Sequence, residues 1–121
     1  MKSKKALFGL VAYLLAASLG LSFAKEKEKE DPNVRSVQGI VMAPDDSPAA
    51  RAIVQLKDTK THQVRSFITR QDGAYYFYGL STNVDYQLRA ERAGMVSPVR
   101  TLSVYDTRKK AIINLKLESK P

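Results

Sequence analysis

Between residues 36 and 42 the chain alternates, with Val37, Gly39 and Val41 on one side and Gln38, Ile40 and Met42 on the other. The same period of two returns in AIVQLKD, where Ala52, Val54 and Leu56 share a face opposite Gln55 and Lys57. THQVRSFIT, AYYFYGL, DYQLRAERAG, SPVRTLSVYD and AIINLKLES continue the series, rich in β-branched and aromatic residues. Between them lie turn residues: Pro44 to Pro48, Asp58 to Thr61, and Gln71-Asp72-Gly73. The pattern predicts seven short strands, no helix after the N-terminal segment, and an all-β sandwich.

Two N-terminal segments break this rhythm. MKSKK, the apolar run ALFGLVAYLLAASLGL and the small residues of Ser22-Phe23-Ala24 have the layout of a secretory signal, cleaved after Ala24. Residues 1–24 are therefore expected to leave, with no stable membrane insertion afterwards, and the protein is expected to be exported, periplasmic or extracellular. KEKEKED, residues 25 to 31, has nothing apolar to bury and reads as part of a charged, disordered linker over 25–34. The folded domain is expected over 35–118, followed by a short tail, 119–121.

Composition narrows the chemistry. The formal net charge of +8 falls once Lys2, Lys4 and Lys5 are gone: 17 Lys and Arg face 12 Asp and Glu, net +5. The folded part has no dense basic run beyond Arg108-Lys109-Lys110, so nucleic acid is not an expected partner. With no cysteine, thiol catalysis, thiolate metal sites and disulfides are excluded. His62 is the only histidine and sits in a polar turn. It cannot assemble a metal site, and no Ser or Thr has a histidine base to pair with. Asp45, Asp46, Asp58, Asp72, Asp85 and Asp106 fall in separate turns rather than a spaced calcium loop. No catalytic residue, metal or cofactor is expected, and the protein is read as a non-enzyme.

Several of these pieces in their order resemble one family. They are V-x-G-x-V at 37–41, Pro48 with AIVQL at 52–56, Thr69-x-x-Asp72-Gly73-x-Tyr75-x-Phe77-x-x-Leu80, and Tyr86-x-Leu88-x-Ala90 running to Gly94. The chain is similar over about 35–118 to the carboxypeptidase regulatory-like domain. That resemblance implies a transthyretin-like, seven-stranded antiparallel Greek-key β-sandwich acting as an accessory module rather than a catalyst. Arg51 departs from it, standing where the family often has glycine, so a different turn is expected there.

The resemblance also sorts the aromatic row. Tyr75, Phe77 and Leu80 take inward positions, which sends Tyr76 and Tyr78 outward. The implied topology brings the first strand, the aromatic strand and the last strand into one sheet. Ile40, Met42, Tyr76, Tyr78 and Ile112 would then form an apolar, aromatic contact face. The expected occupant is a protein partner or a second copy, held by this face or by an exposed sheet edge that accepts a partner strand, with a starch-binding-like contact to polysaccharide as the alternative, since tyrosines stack on sugar rings. Arg65, Arg89 and Arg100 are read as outward arginines, suited to an anionic glycan or, more commonly for strand arginines, to edge protection and solubility.

Overall fold

The computed structural model describes residues 31–119. The expected signal peptide, residues 25–30 of the charged linker, and residues 120–121 lie outside the described residues. Nine strands follow in order: β1 (Val34–Met42), β2 (Ile53–Asp58), β3 (Val64–Ile68), β4 (Ala74–Ser81), β5 (Tyr86–Arg92), β6 (Met95–Val96), β7 (Arg100–Leu102), β8 (Lys110–Ile112) and β9 (Leu115–Lys116). Asp31–Asn33 is not a loose linker end. Asp31 caps a turn into β1 by accepting from Asn33 N–H at 2.9 Å, and Thr82 N–H donates to Asn33 C=O.

The strands form two sheets. Sheet I runs β4-β1-β8 with β9 also on β1; sheet II runs β3-β2-β5-β6 with β7 also on β5. Nine strands stand where seven were expected because two edge strands are broken. β8 and β9 continue in one register along β1, Ser36 opposite Lys110 and Met42 opposite Lys116, interrupted at Ile113–Asn114. β6 and β7 share β5 but are separated around Pro98, which has no N–H for a ladder. Sheet I is thus three ranks wide and sheet II four. Nor is the sandwich wholly antiparallel, since β1 runs parallel to β8 and β9. The long connection after β7 crosses between sheets and lays the last rank beside β1 in the same direction.

The core is what alternation predicts: Val37 and Val41, Val54 and Leu56, Tyr75, Phe77 and Leu80, Tyr86, Leu88 and Ala90, Leu102, Ile113, Leu115 and Leu117 are all buried. One irregularity decides the aromatic strand. Arg35 pairs with Leu80 but Val37 pairs with Phe77, so Tyr78 and Gly79 together oppose Ser36. Gly79, at φ 71°, takes the left-handed conformation this bulge requires. That extra residue is why Leu80, three positions after Phe77, still points inward.

Two buried polar groups hold the frame. Arg35 is only 2% exposed, and its guanidinium donates to the carbonyls of Ser81, Val84, Ser103 and Asp106. It ties the end of β4, the loop before β5 and the β7–β8 connection to one point. Thr69 Oγ1 donates to Ala49 C=O and accepts from Ala52 N–H, fastening the loop before β2 to the end of β3. In that loop Arg51 has φ 60°, the left-handed conformation that glycine adopts at least cost. A different turn was expected here, yet the backbone takes a glycine-like conformation with arginine in place.

Candidate interaction face

The outer face of sheet I is built from the alternate residues of its three ranks. In register, Gln38 stands between Tyr76 and Ile112, and Ile40 has Ala74 as its β4 partner. Asn114, in the break between β8 and β9, accepts from Ile40 N–H through Oδ1 at 3.0 Å and so takes the place of a ladder bond. Of the five residues expected on this face, Tyr76 (39% exposed), Tyr78 (68%), Ile40 (42%) and Ile112 (57%) are on its surface. Met42 is half-buried, bridged to Pro48 and beside Lys116, at the margin of the patch. The patch is also less continuous than expected, because Gln38 separates the tyrosines from Ile112.

Tyr76 and Tyr78 stack on each other, their ring centroids 5.6 Å apart and 25° from parallel. A shallow hollow of about 570 Å³ lies beside them, lined by Gln38, Ile40, Arg70, Tyr76, Ile112 and Asn114. Gly39 contributes bare backbone to its floor. A Cβ there would overlap the Ile113 carbonyl and crowd the Tyr75 ring. In the space left, the Tyr75 hydroxyl donates to Ile113 C=O at 2.5 Å, satisfying a carbonyl at the strand break. Burial pushes this phenol well above its ordinary range, so Tyr75 is a neutral donor and not a titrating group.

The β4 edge completes the site. Ile40 N–H and Gln38 C=O are bonded on the β8–β9 side, and Val41 N–H on the other, to Gly73 C=O. Antiparallel alternation therefore gives the bonds between β1 and β4 to Val37–Phe77 and Gly39–Tyr75. The backbone groups of Ala74, Tyr76 and Tyr78 turn outward. Ala74 C=O accepts from Arg70 N–H, and its N–H is capped by Asp72. Tyr78 C=O accepts from the Arg65 guanidinium at 2.8 Å. Tyr76 lies between these two capped ends, on a strand with no charged residue.

Arg65 corrects the reading of it as an outward arginine. It pairs with Leu56, an inner-face residue, and its guanidinium lies 5.6 Å from the Phe77 ring centroid. Phe67, two positions on, meets Phe77 edge-on at 6.1 Å. The alternation Arg65-x-Phe67 puts both residues on one face of β3, and the register to Leu56 and Val54 is what makes that face the inner one. Arg89 and Arg100 do lie at the surface, Arg89 near Glu91 and Gln55, Arg100 donating to Asn114 C=O.

Ionisable groups elsewhere serve turns. The bidentate Arg108 guanidinium holds the Asp106 carboxyl down to about 2, and Ser47 and the backbone of Thr61 lower Asp45 and Asp58. Among the described residues, no three His, Cys, Asp or Glu side chains converge as metal ligands.

The carboxypeptidase regulatory-like domain family matches residues 36–118, and the chain belongs to that family. No curated protein matches the chain. Among solved structures, it is similar to a mercury-inhibited catechol 1,2-dioxygenase from Acinetobacter sp. ADP1, at 11% identity and TM-score 0.56, over 79% of this chain and 56% of that one. It is similar to the Bacillus anthracis TIE protein at 19% identity and TM-score 0.56, over 72% of this chain but 17% of that one. The dioxygenase domain of a dioxygenase–carbohydrate-binding protein fusion from Streptomyces sp. SirexAA-E matches at 13% identity and TM-score 0.52, over 78% and 85%. The chain thus spans little more than half of the first of these and under a fifth of the second. At such identities the likeness is one of fold.

Proposed function

We propose that this carboxypeptidase regulatory-like domain is an exported, non-enzymatic binding module. It contacts a protein partner through the outer face of sheet I and the adjoining edge of β4. The observation that carries this reading is the stacked, exposed Tyr76–Tyr78 pair on an edge strand with no charge. Tyrosine gives a large apolar area with a polar tip, the combination found at protein contacts, and an uncharged edge is what proteins ordinarily avoid exposing. A catalytic role is disfavoured because the single histidine is exposed in a turn at φ 66°, with no second histidine to act as its partner or as a base for a Ser or Thr. Export rests on the basic, apolar and small-residue succession of residues 1–24.

A second reading has one observation in its favour. The hollow beside Tyr76 mixes an aromatic wall with Gln38, Asn114 and Arg70, a donor set suited to sugar hydroxyls. Carbohydrate binding is therefore the alternative occupant of the same face.

The test is photo-crosslinking in the host, with a benzophenone residue at position 76 and a control at Gln87 on sheet II. A discrete protein adduct at 76 alone is expected. Equal labelling at both positions, or none at 76, overturns the protein-contact reading. Retention on one polysaccharide of a cell-wall panel, lost with Tyr76→Ser, supports the alternative.

A further inference from the structure

Sheet I is one rank narrower than the sheet it packs against. Sheet II is four ranks wide and sheet I three, and on the far side the sandwich is closed by bonds between Val96 and Glu118. The mismatch therefore falls at β3 and β4. Its signature is in the side chains. Phe67 and Arg65 project from the inner face of β3, opposite Val54 and Leu56, which are buried, yet Phe67 is half-buried and Arg65 exposed. A slot of about 290 Å³ runs here, lined by Arg65, Ser66, Phe67, Tyr76, Phe77 and Tyr78.

We propose that an extended peptide segment of a partner protein occupies this fourth rank, pairing with the free edge of β4. The inference rests on the protein-contact reading above and narrows it to strand addition. The open backbone groups are Tyr76 N–H, Tyr76 C=O and Tyr78 N–H, which turn away from β1. They are the groups an added strand bonds, and such bonding is the general basis of peptide capture at sheet edges. Alternate side chains of the added strand then face two ways. One set lies beside the Tyr76–Tyr78 pair on the outer face. The other set turns inward, where an apolar side chain covers Phe67 and a carboxylate reaches Arg65.

Charge selects the occupant. Arg65 and Arg70 flank the open edge, and neither forms an ion pair with an acidic side chain among the described residues. A segment with an acidic residue beside an apolar one complements this frame. A second copy offering its own β4 does not. Antiparallel pairing centred on Tyr76 sets Arg65 of each copy near Arg70 of the other. It also drives the overhanging β3 of each copy into the other's sheet II.

The test selects ligands without assuming their sequence. A random dodecapeptide display library is panned against the full chain, and each enriched peptide is titrated onto three proteins. Tyr76→Pro removes the outward N–H while leaving the bonds between β4 and β1 intact, because that N–H is not part of their ladder. Tyr76→Ala removes the ring and keeps the N–H, and matched thermal melts establish that both variants fold. Enriched peptides that carry an acidic residue near an apolar one are expected. Their affinity should fall about ten-fold or more with Tyr76→Pro and less with Tyr76→Ala, and they should slow hydrogen exchange at Tyr76 and Tyr78. Peptides that bind Tyr76→Pro as well as the parent overturn strand addition while leaving face contact standing. A library that yields no binder, with polysaccharide retained at Tyr76, overturns both readings. A dimer that Tyr76→Pro dissociates overturns the partner segment in favour of self-pairing.

Discussion

The Tyr75 hydroxyl reaches the Ile113 carbonyl at 2.5 Å by passing over Gly39, its own cross-strand partner. Three ranks meet at that point. β4 supplies the donor, β1 supplies the gap, and the broken β8–β9 rank supplies an acceptor that its ladder leaves out. The broken rank is held there by one backbone bond, Ile113 N–H to Gln38 C=O, and by two side chains, Asn114 accepting from β1 and Tyr75 donating from β4.

Tyr75→Phe is expected to lower stability by about 1–3 kcal/mol, since it strands a buried carbonyl without changing the core's shape. Gly39→Ala should cost about as much or more, because the added methyl meets backbone and ring together. Urea denaturation of both variants checks this; a Tyr75→Phe protein as stable as the parent would show that the bond contributes nothing.

Arg35→Met removes a buried guanidinium and leaves the carbonyls of Ser81, Val84, Ser103 and Asp106 without their donor. The expected loss is about 3 kcal/mol or more. Hydrogen exchange should then rise in residues 82–85 and 103–109 before it rises in β2. Uniform loosening of the whole domain would contradict the pinning role.

Arg51→Gly is expected to stabilise the protein by up to about 1 kcal/mol. The left-handed backbone at φ 60° strains a side chain that glycine lacks, though glycine's greater freedom in the unfolded chain offsets part of the gain. A lower melting temperature for this variant would mean that the arginine side chain makes a compensating contact.

The Asp106 carboxyl titrates near 2, held down first by its bond to Arg108. Its native value lies below the ordinary carboxylate value, so its contribution is complete above pH 4 and is lost as the pH falls from about 4 to 2. Comparing melting temperatures of the parent and Asp106→Asn across pH 2–6 checks the sign. The two curves should converge at the acid end, and a gap that widens toward low pH would refute it.

Replacing Tyr76 and Tyr78 together by Ser is expected to leave the fold and melting temperature nearly unchanged, because both rings are substantially exposed. Partner crosslinking from the rest of the face should fall by about ten-fold or more, as aromatic anchors dominate contact energies. Unchanged crosslinking from position 40 would remove the tyrosines from the contact.

Much of this molecule is a local consequence of its sequence. A strand's side chains alternate with a period of two, and one face of each sheet must be buried. Val37, Val54, Leu88 and Leu115 therefore declared their side and Ile40 and Ile112 the opposite one, whereas four aromatic residues in a row needed the family resemblance to set Tyr75 and Phe77 inward and Tyr76 and Tyr78 outward. The family pattern added which strands share a sheet. Nothing local, however, says how wide each sheet is or where a ladder breaks. Only the packed structure put Arg35 in the interior, since its solvation there depends on four carbonyls from distant loops. Only the packed structure turned Arg65 onto Phe77 and left the β4 edge open. Those features arise where two sheets of unequal width meet, and that inequality belongs to the tertiary arrangement rather than to any single strand.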